Sequence, residues 1–143
     1  MKLLTAEYDY TTETAQVELS HKGKIYKGSA HYKETDKNVP NRFFGQRLAE
    51  KRAMIGYWKE QRDINRIKKQ ALKSLRKDIE KTLLDKNIPY GEREKIIIKI
   101  LDNHIKYYDK TAKDYAEVIQ IQKDDIQRGF QLREQLLSKV NNK

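Results

Sequence analysis

The chain has 143 residues, 37% of them hydrophobic and 36% charged, with a formal net charge of +10 and no cysteine. This balance predicts one domain without a thick globular core, and favours elongated helices with narrow apolar seams. Disulfides and thiolate metal sites are excluded, the opening Met1-Lys2-Leu3-Leu4-Thr5 lacks the apolar run of a signal peptide, and no run approaches the ~18 residues of a membrane span, so the expectation is a soluble cytoplasmic protein without a membrane partner.

Residues 1–32 alternate as strands do. Ala15, Val17 and Leu19 share one face of a strand while Gln16, Glu18 and Ser20 share the other, and Leu4, Ala6 and Tyr8 repeat the pattern earlier. Turns are expected at Tyr10-Thr11-Thr12-Glu13 and at His21-Lys22-Gly23-Lys24, where Gly23 can take positive φ. A third strand from about Ile25 to Tyr32 completes an antiparallel meander, whose apolar face needs helices to cover it. The polar stretch Lys33–Pro40 is a linker, and Asn41 is a good N-cap.

A first long helix is predicted over Arg42–Lys86, with apolar positions at Phe44, Leu48, Ile55, Ile64, Ile67, Ala71, Leu75, Ile79 and Leu83, and a phase slip near Ala71. Asp85-Lys86-Asn87-Ile88-Pro89-Tyr90-Gly91 ends it, and Pro89 suits the first turn of a second helix of about fifty residues. There Ile98, Ile105, Ala112, Ile119, Ile126, Arg133 and Val140 form the a line of a heptad, and Leu101, Tyr108, Tyr115, Gln122, Gly129 and Leu136 form the d line. The short connection implies an antiparallel hairpin. The predicted fold is therefore α+β and mostly helical, with a three-stranded antiparallel meander and linker over 1–40 and a two-helix coiled-coil hairpin over 41–143. Apolar residues outside the seam, among them Met54, Trp58, Ile96, Ile97, Ile100 and Ile121, predict self-association into a four-helix bundle.

The charge is unevenly placed. Residues 1–40 carry six basic and six acidic side chains, 41–87 fourteen and six, and 88–143 eleven and nine, so eight of the ten excess positive charges fall in the middle segment. Within it Arg62, Arg66, Lys69, Lys73, Arg76 and Lys77 recur at three- and four-residue steps, which predicts a basic stripe turned away from Ile64, Ile67, Ala71 and Leu75. Such a stripe, about 22 Å long, can meet several phosphates of a nucleic acid or one highly charged nucleotide, or can simply be a solvated helix face.

Two other groups are candidates. Tyr8, Tyr26 and Tyr32 lie near basic side chains on the meander, where tyrosines can stack bases or merely pack the sheet against a helix. The polar break in the second seam, Gln122, Gly129 and Arg133, either fixes register or, with Arg128 and Arg133, lines an anion pocket between protomers. Catalysis has little support, and no cofactor or metal is implied: His21, His31 and His104 lack zinc-site spacing, no glycine-rich phosphate loop occurs, and Asp124 and Asp125 have no base partner.

The run Gly28-Ser29-Ala30-His31, then Asp36, then Phe44-Gly45-Gln46-Arg47-Leu48-Ala49-Glu50-Lys51-Arg52-Ala53 resembles a pattern in small accessory proteins of bacteriophages, a strand hairpin followed by a G-x-x-L-A-x-x-R-A helix. That resemblance implies a phage-type protein of the kind that blocks a host defence. Some of these are oligomeric sponges that sequester a nucleotide signal using a small sheet and long paired helices. No binding residue carries over. The combined expectation is a non-enzymatic, homo-oligomeric protein that captures a nucleotide signal or nucleic acid on the Arg62–Lys77 stripe; the alternative is an inhibitor of a host defence protein or a coiled-coil scaffold.

Overall fold

A computed structural model describes residues 1–31 and 41–141, apart from the side chains of 41–43, 137, 140 and 141. Three strands, β1 (Lys2–Asp9), β2 (Thr14–His21) and β3 (Lys24–His31), precede two helices, α1 (Asn41–Asp85) and α2 (Glu92–Asn141). The sheet is an antiparallel meander in the order β1-β2-β3. The expected third-strand end at Tyr32, the Lys33–Pro40 linker and the Asn41 side chain lie outside the described residues. The compact units cut through both helices: one comprises 1–59 and 118–143, the other 60–117.

In the first unit local chemistry fixes each turn. The Asp9 carboxylate accepts the Thr11 N–H at 2.8 Å and the Thr12 N–H at 3.4 Å, and these bonds hold its pKa below the ordinary value. Lys22 and Gly23 both have positive φ, 50° and 79°, the requirement of a two-residue turn whose twist matches the strands. Pairing then sets Ala15 against Ala30, Val17 against Gly28 and Leu19 against Tyr26. In β1 the register slips between Leu3 and Thr5. A strand at the sheet's edge tolerates such a bulge, because one side of its ladder is open.

The apolar face of this sheet is covered by α1. Ala15, Val17, Leu19, Tyr26 and Ala30 form one buried cluster with Leu48, Ala49 and Ala53, and Ile126 and Phe130 of α2 pack against it. Small residues on both sides let strand and helix approach closely. A Cβ added at Gly28 would stand 1.8 Å from the Ala49 carbonyl oxygen and 2.7 Å from the Ala53 amide nitrogen, so only hydrogen fits there. Arg52 donates to the Ser29 carbonyl at 2.8 Å and ties the same strand to the same helix.

The polar break of the α2 seam lies in this unit and packs against α1. Lys51 donates to the Gln122 amide oxygen at 3.0 Å, a Cβ on Gly129 would meet the Phe44 ring at 3.6 Å, and the Arg133 guanidinium lies 4.7 Å over that ring.

In the second unit α1 closes at Asp85 with Asn87 in the left-handed region, φ 54°. The Ile88 N–H bonds back to the Leu83 carbonyl and the Asn87 N–H to that of Leu84, the double return of a Schellman cap. The second helix begins at Glu92, later than the expected start at Pro89. Glu92 and Glu94 in its first turn favour the positive end of the helix dipole. The heptad line of α2 is buried as expected at Ile98 and Ala112, and Leu101, Ile105, Tyr108 and Tyr115 are half-buried.

Replacing Gly28 by Ala should cost about 3 kcal/mol or more, since helix and strand backbone must separate. Gly56, with open space around it inside α1, should gain roughly 0.5–1 kcal/mol on replacement by Ala. Urea denaturation of the two variants checks both signs.

Candidate anion-binding face

The second unit decides how the predicted stripe is used. Lys69 Nζ reaches Asp109 Oδ1 at 2.8 Å, and Arg76 Nε reaches Asp102 Oδ1 at 2.6 Å. Seven residues forward on α1 are thus matched by seven residues backward on α2, which is antiparallel pairing in a fixed register. Lys69 has only 20% of its side chain exposed, and Arg76 also contacts Glu80 at 2.8 Å.

This corrects the expected orientation of α1. The stripe is not turned wholly away from the partner helix: Lys69 and Arg76 flank the seam, along with the buried Asn65 and the half-buried Arg62, Leu72, Ile79 and Leu83. Ile67 and Leu75, expected in the seam with Ala71, are instead 68% and 48% exposed. The reason is chemical. Acidic residues at Asp102 and Asp109 of α2 draw the two cations inward, and long basic side chains can lay their methylenes along the seam while their heads remain at its edge.

The two ion pairs mark one flank of the seam. Antiparallel neighbours are related by a local dyad normal to the pair, so residues displaced in the same rotational sense on both helices emerge on the same side. On α1 this side carries Arg66, Lys73 and Lys77. On α2 the line Lys95, Lys99, Asp102, Lys106, Asp109, Lys113 advances by steps of four and three, placing its lysines on the same side. A second row of cations thus runs beside the predicted one for about 27 Å. It was missed because α2 is nearly neutral overall; the regular lysine spacing was the available signal.

The charges on this face fall into two classes. Asp109 accepts from both Lys69 and Lys113, and these bonds bring its pKa down from 3.8 to about 2. Arg62 and Arg66 lean on Asp63, at 3.1 and 3.9 Å. Lys73, Lys77, Lys99 and Lys106 are exposed and form no ion pair among the described residues. A shallow groove of about 350 Å³ lies between the rows, lined by Lys73, Arg76, Lys77, Glu80, Asp102 and Ile105. It can seat a phosphate against two free ammonium groups, but it does not enclose a ligand.

The other candidates separate. Tyr26 is buried and meets Tyr57 edge-on at 5.2 Å, so it has no face to offer a base, and its role is packing. Tyr8 is half-buried against the core, its phenol pKa raised chiefly by burial, and it meets Tyr10 edge-on at 4.9 Å. Tyr32 lies outside the described residues. Arg128 is 72% exposed near Asp125, whereas Arg133 is packed on Phe44; five residues apart, they point about 140° apart around the same helix. Among the described residues no group of three His, Asp or Glu side chains could hold a metal, and no helix is long and apolar enough to cross a membrane.

Because the folded Asp109 pKa lies below the ~3.9 of an unfolded aspartate, its pairing stabilises the hairpin above about pH 4 and the effect is lost as pH falls through about 2. Asp109→Asn should therefore melt below the unaltered protein at pH 7 and together with it near pH 2. Circular dichroism melts at the two pH values provide the check.

Comparison of the chain with protein-family models, curated proteins and solved structures finds no match.

Proposed function

We propose that this is a non-enzymatic accessory protein that captures a phosphate-bearing ligand on the basic side of its helical hairpin. The observation that carries the reading is the doubled row of lysines without an ion pair among the described residues, Lys73 and Lys77 on α1 beside Lys99 and Lys106 on α2. Four mobile ammonium groups in two parallel rows suit a chain of phosphates better than a single one. A nucleic-acid backbone releases counterions at each contact and needs no enclosing pocket. A small nucleotide signal, the other ligand of this chemistry, would need enclosure to bind tightly, and the groove is open. The resemblance of Gly28–His31 and Phe44–Ala53 to phage accessory proteins supports a role against a host defence in the cytoplasm.

Binding of a labelled oligonucleotide, followed by fluorescence anisotropy, should weaken with salt at a slope of about −4 in log K against log salt, as expected for four to five phosphate contacts. Lys73→Glu/Lys77→Glu/Lys106→Glu should reduce affinity at least 100-fold at low salt and flatten that slope, whereas Lys139→Glu near the end of α2 should leave both unchanged. Lys69 is left intact because its reversal would break the pair with Asp109. Absence of binding at low salt, with a cyclic or linear nucleotide bound instead, would replace nucleic acid by the small ligand; unchanged affinity in the triple variant would remove the basic face from the function.

A further inference from the structure

The cations of the two rows stand in level pairs. The register set by Lys69 with Asp109 and Arg76 with Asp102 puts Lys73 level with Ile105 and Lys77 level with Leu101. Lys106 therefore stands about 1.5 Å along the axis from Lys73, and Lys99 about 3 Å from Lys77. Arg66 and Lys113 form a third pair about 10 Å further on, each already touching a carboxylate, Asp63 at 3.9 Å and Asp109 at 2.9 Å. Packed helices lie about 8–10 Å apart, axis to axis, so the face presents two separate lines of positive charge.

The space between these lines is not positive. Arg76 is held by both Asp102 and Glu80, so the floor of the groove carries one cation against two carboxylates. Lys99 and Lys106 stand one step outside Asp102 and Asp109 on α2, and Lys73 and Lys77 form the rim on α1. A single line of phosphates along the floor would meet net negative charge. Two lines, one on each rim, would meet the lysines. Platforms for unstacked bases are also scarce. Neither row contains an aromatic residue, and Tyr107 and Tyr108 meet each other edge-on at 5.4 Å, with Lys68 over the Tyr108 ring. Tyr90, exposed in the connecting turn, is close enough to act on Arg76, but one ring cannot stack a succession of bases.

We infer that the ligand of this face is a duplex nucleic acid, one backbone lying along the α1 row and the other along the α2 row; this rests on the reading that the face captures phosphates. A duplex supplies two phosphate lines held apart across a groove, about 6 Å wide on the minor side of B-form DNA, and flexible lysine stems can reach both walls. Its bases remain stacked on each other, so it needs no aromatic platform. A single strand engages one row at a time. DNA and RNA duplexes share the chemistry of two backbones.

Fluorescence anisotropy tests the inference with a labelled DNA duplex of about 20 base pairs, roughly 68 Å long, the same sequence as an RNA duplex, and an unpaired single strand of equal length. At low salt one or both duplexes should bind at least tenfold tighter than the single strand. The slope of log K against log salt should be about −4 for a duplex on four lysines and about −1.4 for a strand on one row. Duplexes also carry the denser charge, so variants of single rows separate geometry from charge density. Lys99→Gln/Lys106→Gln and Lys73→Gln/Lys77→Gln, both compatible with helix, should each lower the duplex slope to about −2 and reduce the duplex advantage below roughly threefold, with helical circular dichroism retained. A single strand bound as tightly as both duplexes, or a duplex advantage that both row variants leave intact, overturns the duplex assignment and leaves phosphate capture standing. Failure of every oligonucleotide to bind overturns the assignment together with nucleic-acid capture.

Discussion

The register set by Lys69 with Asp109 and Arg76 with Asp102 is the constraint on which the hairpin depends. A narrow apolar seam tolerates slippage, because one Ile or Leu fills the space of another a turn away at small cost. Two charged pairs at matching seven-residue intervals do not. A slip by one turn would leave two cations and two carboxylates at the edge of the seam without partners, and half-buried charges are costly to strand. The same pairs decide which way each helix is rotated, and through that rotation they decide what the two sides of the hairpin display.

The second and third strands and the second helix were largely legible because their burial follows a strict period, whereas Leu4 and Ala6 of the bulged edge strand β1, expected on the inner face, are exposed. Ala15, Val17 and Leu19 alternate with polar neighbours, and Ile98, Ile105, Ala112 and Ile119 recur every seven residues; in each case the apolar side chain is the one turned inward. The turn at Lys22-Gly23 was legible for a different reason, since few residues accept its positive φ.

The first helix was not legible in the same way. Its seam in the second unit is built from Asn65, Lys69, Leu72, Arg76 and Ile79, while Ile67 and Leu75 are left outside. Hydrophobicity alone assigns these positions in reverse, because it treats the cations as outward by default. Their inward lean depends on Asp102 and Asp109, which lie more than twenty-five residues away and opposite them only after the hairpin has formed. The close approach at Gly28 was hidden for a related reason: nothing within β3 needs a glycine, and the need comes from the Ala49 carbonyl of a helix that follows.

Concentration of lysines on one side of the seam bears on the stability of the hairpin. Lysines on one side repel each other, and in a lone pair of helices that repulsion opposes a seam only one side chain wide. The opposite side of the seam carries fewer cations, with Leu75, Ile100 and Tyr107 exposed there beside Lys68. An anion on the basic side would relieve the repulsion by neutralising Lys73, Lys77, Lys99 and Lys106. A phosphate bound there would therefore raise the stability of the same two helices.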